Sequence, residues 1–220
     1  PGPSVGKLVP KIRYSARILY YIYIGLTLAE IIFLLAGRMP LFDSLCTALG
    51  TAGTGGFGIK ADSMASYSVY LQWVVTIFMI LFGVNFNAYY FLIFGDVKKA
   101  AAMEEVKAYF MIIGVAILGI VICIWNTSSG FFDALTKASF QVASLITSTG
   151  FATVDYNVWS STAKTILIFS MMIGACAGST GGGIKVSRFI SVFKTVKKEL
   201  DSYIHPKSVK KIKMDGKPIE

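Results

Sequence analysis

Two short loops rich in threonine and glycine carry the strongest chemical signal in this sequence. The first is Thr54-Gly-Gly-Phe57, the second is Ser148-Thr-Gly-Phe151, and each follows an apolar segment that opens with Phe-Asp-x-Leu, at residues 42–45 and 132–135. Glycine lets backbone carbonyls turn toward an axis without an obstructing side chain, and such carbonyls can replace the water shell of a cation. One copy would indicate an ordinary turn before an aromatic residue, whereas two equivalent copies predict a pore lining.

The equivalent glycines of the two loops are Gly56 and Gly150, and we expect their carbonyls to bind the ion. The apolar segments before them, residues 41–50 and 131–146, are shorter than the roughly 20 residues that a helix needs to cross a bilayer. They are predicted to be re-entrant pore helices whose negative dipole ends point at the cation. The residues expected to supply the adjacent carbonyls and hydroxyls are Thr54, Gly55, Ser148 and Thr149.

A glycine-rich segment interrupts the last apolar run, on the cytoplasmic side of the second loop. Glycine in a helix costs about 1 kcal/mol relative to alanine, so the pattern predicts an unwound segment that could gate the pore. A close helix-packing patch is one alternative, and a phosphate-binding loop is disfavoured because no Ser or Thr follows Lys185. The candidate gate residues are Gly178, Ser179, Thr180, Gly181, Gly182, Gly183 and Lys185.

The composition places the chain in the membrane class. Of the 220 residues, 55% are hydrophobic and only 15% are charged, and several apolar runs approach the length of a bilayer-crossing helix. Three polar residues within these runs, Glu30, Asn85 and Asn87, are expected to face protein or the pore. For Glu30, pairing with a basic group and lining a vestibule both remain open.

The net charge of +9 is concentrated before the first span, between the second and third, and after the fourth. By the positive-inside rule both termini and the 96–107 loop are cytoplasmic, which accounts for the basic tail without nucleic-acid binding. The three cysteines lie within apolar segments and are interpreted as small hydrophobic residues. His205 is the only histidine and lies in the basic tail, so no catalytic cluster is predicted and the chain is not expected to be an enzyme.

The order of these segments predicts an all-α membrane protein with two helix–pore helix–helix repeats in the same orientation. Each repeat contains a spanning helix, a re-entrant helix, a filter loop and a second spanning helix, at a period of roughly 90–95 residues. The four spans are expected at about 14–36, 69–94, 108–125 and from 162. The predicted divisions are a lead-in (1–13), repeat A (14–97), a cytoplasmic loop (98–107), repeat B (108–200) and a cytoplasmic tail (201–220).

These motifs together resemble the Trk/Ktr/HKT superfamily of potassium transporters, and within it the bacterial TrkH-like pore subunit. The resemblance is carried by the two Phe-Asp-x-Leu segments with their loops, by Gly83-Val-Asn85-Phe86, by Gly178-Ser-Thr-Gly-Gly-Gly-Ile-Lys185 and by His205-Pro206. It implies four K⁺-channel-like repeats around one pore, of which this chain resembles the second and third. It also implies a gating loop at about residues 175–185.

The resemblance further implies K⁺ as the bound ion, no other cofactor, a homodimer in the inner membrane and a cytoplasmic nucleotide-binding regulatory subunit of the RCK/KTN type. Since only two repeats are present, we expect the other two to come from the rest of a longer protein or from another chain. A secondary transporter of a small solute is the alternative function, but it requires a charged substrate partner at the midplane, which the filter regions lack. A membrane-embedded enzyme is disfavoured by the lack of a catalytic cluster.

Overall fold

The computed structural model describes residues 12–204 together with two short strands at 213–214 and 217–218. The start of the predicted lead-in and most of the predicted tail, including His205, lie outside the described residues. The strands β1 (Lys213–Met214) and β2 (Lys217–Pro218) pair antiparallel, and every other regular element in the described part of the chain is helical. The prediction of an all-α membrane protein is confirmed for the body of the chain.

Repeat A contains four helices. They are α1 (Ile12–Ala36), α2 (Leu41–Ala52), α3 (Val69–Phe82) and α4 (Phe86–Ile93). Pro40, which has no N–H to leave unsatisfied, directly precedes α2, and the Ser68 hydroxyl caps α3 by accepting a hydrogen bond from the Leu71 amide at 3.4 Å. The re-entrant helix α2 begins at the predicted residue, Leu41, and ends two residues later than predicted.

Repeat B contains α6 (Glu104–Ile124), α7 (Phe131–Ile146), α8 (Ser161–Ile173) and α9 (Val186–Ile204), with 3₁₀ turns at Trp125–Thr127 and Tyr156–Val158. The re-entrant helix α7 has the predicted bounds. The interval from Ile173 to Val186 is not helical, as the glycine-rich segment predicts. Because α8 has only 13 residues, it is shorter than a complete bilayer-crossing helix.

The connection at 98–107, predicted as a loop, is largely helical. Helix α5 (Val97–Ala102) occupies its first half, and α6 begins at Glu104 rather than near Ala108. Its sequence contains the strong helix formers alanine, lysine and glutamate and no glycine or proline, which explains why it continues as helix. The polarity of these residues indicates a surface location but does not determine backbone conformation.

The second predicted span, at residues 69–94, is not one continuous helix. Within the described residues, two helices, Ala16–Ala36 and Glu104–Thr127, are long and apolar enough to cross a membrane. Helices α3 and α4 are apolar enough together to count as a third span, but they are bent by 92° at residues 83–85. The break is built into the sequence, because Gly83 ends α3 and the Asn85 side chain caps α4 by accepting the Asn87 amide at 2.9 Å.

Helix α7 lies at the centre of the fold and packs against α3, α6 and α8. Its face toward α6 and α8 belongs to a core made largely by repeat B, which includes Ala134, Ala138, Val142 and Ile146. Its Phe140 and Ala143 belong instead to the core of repeat A. The two repeats are therefore joined through a shared apolar interior, which fixes the position of one threonine–glycine loop relative to the other.

Candidate functional site

The two threonine–glycine loops have the same backbone path. In repeat A, Thr54 and Gly56 have positive φ angles of 51° and 65°, and in repeat B the equivalent Ser148 and Gly150 have φ angles of 59° and 93°. In each loop a residue of ordinary φ, Gly55 or Thr149, separates the two left-handed residues. A left-handed conformation is uncommon for threonine and serine, so its recurrence at equivalent positions indicates a constrained, functional geometry.

Similar backbone hydrogen bonds tie each loop to the end of its pore helix. The Gly55 amide donates to the Gly50 carbonyl at 2.7 Å, and the Thr149 amide donates to the Ser144 carbonyl at 2.9 Å. The Thr54 amide donates to the Thr51 carbonyl at 3.1 Å, and Ser148 repeats that bond with Leu145 at the same distance. These bonds satisfy carbonyls that the helix end leaves without partners.

Side chains give repeat B additional bonds that repeat A lacks. The Ser144 hydroxyl donates to the Phe151 carbonyl at 2.6 Å and accepts the Gly150 amide at 3.1 Å. The hydroxyls of Thr147 and Thr149 lie 2.7 Å apart and form a further hydrogen bond. Gly50 occupies the position equivalent to Ser144 in repeat A and offers no side-chain support.

The two loops touch one another at Gly56. A Cβ atom added to Gly56 would lie 1.9 Å from the Thr149 carbonyl oxygen and 2.9 Å from the Gly150 carbonyl carbon. A Cβ atom added to Gly150 would meet nothing within 4 Å. Gly56 is therefore required both for its left-handed φ and for close approach to the other loop, whereas Gly150 is required for its φ alone.

The glycine-rich segment lies against both loops. The Thr54 hydroxyl donates to the Thr180 carbonyl at 3.2 Å, and the Gly182 amide donates to the Thr147 carbonyl at 3.4 Å. A Cβ atom added to Gly182 would lie 2.9 Å from the Ser148 hydroxyl oxygen. The predicted gate residues and the predicted filter residues are thus brought together in one site.

The ends of the glycine-rich segment approach each other closely at Gly174 and Gly183. A Cβ atom on Gly174 would lie 2.5 Å from the Gly182 carbonyl oxygen, and one on Gly183 would lie 2.5 Å from the Gly174 Cα. Both residues also have positive φ, at 75° and 85°. Only glycine fits at these two positions. Gly174 is not among the predicted gate residues. The Lys185 ammonium group donates to the Gly181 carbonyl across the segment.

Comparison with known proteins gives one consistent result. The model of the TrkH family, described as cation transport protein, matches residues 4–220. The chain belongs to the TrkH family. The Trk system potassium uptake protein TrkH of Salmonella typhimurium is 33% identical over 226 residues, which cover 100% of this chain and 46% of that protein. The Trk system potassium uptake protein TrkG of Escherichia coli is 31% identical, over 99% of this chain and 46% of its own length.

The solved structures agree with this assignment. The crystal structure of the potassium transporter TrkH from Vibrio parahaemolyticus matches with a TM-score of 0.88 at 30% identity, and covers 98% of this chain and 47% of that chain. The chain spans about half the length of the curated TrkH-family relatives it matches. The resemblance stated from the sequence is confirmed, both as family and as fold.

The TrkH-family site contains one residue that the sequence did not single out, Glu105. Its carboxylate is buried, with only 4% of the residue exposed. It accepts hydrogen bonds from the Asn85 side-chain amide at 3.0 Å, the Ala177 amide at 2.5 Å and the Ser187 amide at 3.2 Å. An acidic residue at the start of an apolar run is ordinary helix-capping chemistry, and its distant partners are not visible in the sequence.

The other polar residues predicted within spans are also buried. Asn85 and Asn87 face protein, as expected. Glu30 is fully buried beside the Thr51 hydroxyl of α2, and no ion pair to its carboxyl group occurs among the described residues. The described residues therefore provide neither the basic partner nor the open vestibule that the sequence left as alternatives.

The aromatic residues that close the two loops have opposite environments. Phe151 is 1% exposed, and its ring lies 3.1 Å from where a Cβ atom of Gly50 would be. Phe57, at the equivalent position in repeat A, is 85% exposed. Repeat A thus provides the surface on which the aromatic residue of repeat B packs, whereas Phe57 has no such surface in the described part of the chain.

The aspartates of the two Phe-Asp-x-Leu segments, Asp43 and Asp133, also have different partners. Asp43 accepts a hydrogen bond from the Tyr67 hydroxyl at 2.7 Å, which ties α2 to the segment that returns from the loop. Asp133 accepts the Ser129 amide at 3.0 Å and forms an ion pair with Lys137 at 2.6 Å. Partial burial and the nearby Asp43 carboxylate raise the pKa of the Tyr67 hydroxyl to about 12.

Proposed function

We propose that this chain forms one half of a pore that conducts K⁺ across the membrane without covalent chemistry. The ion would be bound by carbonyls of Gly55, Gly56, Thr149 and Gly150, with hydroxyls of Thr54 and Ser148 nearby. The single observation that carries the proposal is the mutual contact of two loops with the same alternating left-handed backbone. In this proposal the two loops turn their carbonyls toward a common axis, where the carbonyls can replace ion hydration.

The choice of K⁺ follows from the relatives. The Salmonella typhimurium and Escherichia coli proteins are Trk system potassium uptake proteins, and the solved Vibrio parahaemolyticus protein is a potassium transporter. Among the described residues no group of three or more His, Cys, Asp or Glu side chains is placed to hold a metal ion. Carbonyl and hydroxyl oxygens are the donors that this site offers, and they suit a weakly held monovalent cation.

The glycine-rich segment, residues 174–185, is proposed as the gate. Its carbonyls and amides contact both filter loops, so any ion leaving the filter toward the cytoplasm would meet it first. Its stretch from Gly181 to Gly183 has no side chains to hold it by packing, and glycine permits alternative backbone paths. Movement of this segment away from Thr54 and Thr147 would open the path below the filter.

The remaining two repeats are proposed to come from outside these 220 residues. The share of the relatives' length that this chain covers and the exposed Phe57 both favour this arrangement. A homodimer of complete pores, a cytoplasmic nucleotide-binding regulatory subunit and an inner-membrane location are proposed from the family. The ion pair between Glu104 and Lys194 supports one membrane side for the two basic segments, because it joins the start of α6 to α9.

The filter assignment is tested by Gly150→Asp in the complete transporter, with all four repeats present. Gly95→Asp is the matched control, because Gly95 also has a positive φ of 82° and open space around its Cα but lies outside the site. We expect Gly150→Asp to abolish K⁺ uptake in cells that lack other K⁺ uptake systems and Gly95→Asp to retain it. Equal uptake by both variants, at equal membrane abundance, would remove the filter assignment.

The gate assignment is tested separately by deletion of residues 181–183. We expect the shortened segment to lose its contacts with Thr147 and Ser148 and to raise the K⁺ leak of reconstituted liposomes, while selectivity over Na⁺ is kept. An unaltered leak from properly folded protein would contradict the gate assignment and leave the filter assignment unaffected.

A further inference from the structure

Glu105 connects three parts of the molecule that are distant in sequence. One carboxylate oxygen accepts the Ala177 amide, which lies within the proposed gate segment, and the Ser187 amide, two residues beyond its end. The other oxygen accepts the side-chain amide of Asn85 in the break between α3 and α4 of repeat A. A single side chain thus ties the gate segment and the residue just beyond it to the other repeat.

The cost of burying a charge indicates that these bonds are strong. A carboxylate removed from water is tolerated only when hydrogen-bond donors surround it, and hydrogen bonds to charged groups are roughly twice as strong as those between neutral groups. Glu105 has three such donors and also lies close enough to Lys185 for their charges to interact. Removing the carboxylate would leave two backbone amides and one side-chain amide without their acceptor.

The break in repeat A is the surface to which the gate segment is attached. The Gly83 carbonyl accepts the Cys176 amide at 3.0 Å, and the Phe82 carbonyl accepts the Thr180 amide at 3.4 Å. The Gly178 carbonyl accepts the Phe86 amide at 3.2 Å. The unsatisfied groups at the end of α3 and the start of α4 are thus paired with the gate segment, and Glu105 joins the two through Asn85.

We infer that Glu105 is the positioning residue that fastens the gate segment to repeat A and so holds the pore closed. The inference rests on the proposed role of residues 174–185 as the gate. Glu105 lies in the first turn of α6, and its neighbour Glu104 pairs with Lys194 of α9. A displacement of α9 would therefore act on the same turn of α6 that holds the gate segment.

The test compares Glu105→Gln with Glu104→Gln in the complete transporter. Glutamine keeps the shape of the side chain, but its NH₂ group faces donors where the carboxylate offered acceptors. Hydrogen exchange of the amides in residues 174–187 is measured by mass spectrometry, together with K⁺ leak from liposomes. The filter loops serve as an internal reference within the same samples.

We expect Glu105→Gln to accelerate exchange in residues 174–187 by about 10- to 100-fold, as loss of a hydrogen bond to a charged group would do. Glu104→Gln should change it by less than about threefold, because surface ion pairs contribute little. Unchanged exchange in Glu105→Gln would overturn the inference. If Glu105→Gln does not fold, the test uses Glu105→Asp, which keeps the charge but has a shorter side chain. We expect Glu105→Asp to accelerate exchange by an intermediate factor, and an exchange rate equal to that of the wild type would overturn the inference.

The leak measurement separates this inference from the gate proposal. Faster exchange together with a raised leak supports both. Faster exchange with an unaltered leak supports Glu105 as the residue that fastens the segment and removes the gate role of residues 174–185.

Discussion

The threonine–glycine loops of repeats A and B share a backbone path but are supported by different groups. In repeat B the Ser144 hydroxyl binds both Gly150 and Phe151, whereas in repeat A the equivalent residue is Gly50. Gly50 has no hydroxyl to donate, but the absence of a side chain leaves room for the Phe151 ring of the other repeat. The comparison shows that backbone geometry is common to the repeats, while side-chain support depends on the neighbour that each repeat meets.

The largest expected effect distinguishes the two filter glycines. Gly56→Ala places a methyl group 1.9 Å from the Thr149 carbonyl oxygen, in addition to straining a left-handed φ, whereas Gly150→Ala adds only the strain. We expect Gly56→Ala to abolish K⁺ uptake by the complete transporter and Gly150→Ala to retain a measurable part. Initial rates of K⁺ uptake at matched expression decide this, and equal losses would show that contact between the loops is unimportant.

The second expected effect concerns the two aromatic residues. Phe151→Ala empties a site against Gly50 and should destabilise the protein by about 3–5 kcal/mol. If a further repeat covers Phe57 in the same way, Phe57→Ala should cost a similar amount in the complete transporter. Thermal unfolding in detergent measures both variants. A Phe57→Ala variant as stable as the wild type would show that the surface covering Phe151 has no counterpart for repeat A.

A smaller effect is expected for Ser144→Ala. The substitution removes two hydrogen bonds, one donated by the Gly150 amide to the hydroxyl and one donated by the hydroxyl to the Phe151 carbonyl. The buried Phe151 carbonyl then has no partner, which costs about 1–3 kcal/mol. Because these bonds hold the filter loop of repeat B, we expect weaker discrimination of K⁺ from Na⁺ as well as lower stability. Gly50→Ala, the change at the matching position of repeat A, removes no hydrogen bond but brings a methyl group 3.1 Å from the Phe151 ring. An equal loss of selectivity in both variants would assign the effect to packing around Phe151 rather than to the lost bonds.

The smallest effect concerns the outer ends of the pore helices and depends on pH. The Tyr67 hydroxyl donates to Asp43 and has a folded-state pKa of about 12, above the value of about 10 for an exposed tyrosine. Its contribution is complete below pH 10 and decreases between pH 10 and 12, where only the unfolded state releases the proton. The stability difference between wild type and Tyr67→Phe should decline over that range. A difference independent of pH would exclude the Asp43 bond as its cause.

Sequence patterns predicted the elements whose signal is local. The bounds of α7, the start of α2 and the break after α8 followed from apolar length, Phe-Asp-x-Leu and the glycine run. The sequence pattern does not predict the break between α3 and α4, although Gly83 and Asn85 lie there, because the surrounding apolar residues are compatible with one continuous helix. Its polar backbone groups are satisfied by Tyr109, Tyr89 and the gate segment, and these distant partners make the break possible at membrane depth.

By itself the sequence determined the membrane class, the two repeats, the family and the positions of the glycines, because these depend on composition and on spacing along the chain. The tertiary structure alone decided that Gly56 touches Thr149, that Phe151 packs on repeat A and that Glu105 accepts the Ala177 and Ser187 amides. These relations join residues that are about 70 to 100 positions apart. They depend on how α7 packs between the two repeats, and that packing is set by shape and burial rather than by any local pattern.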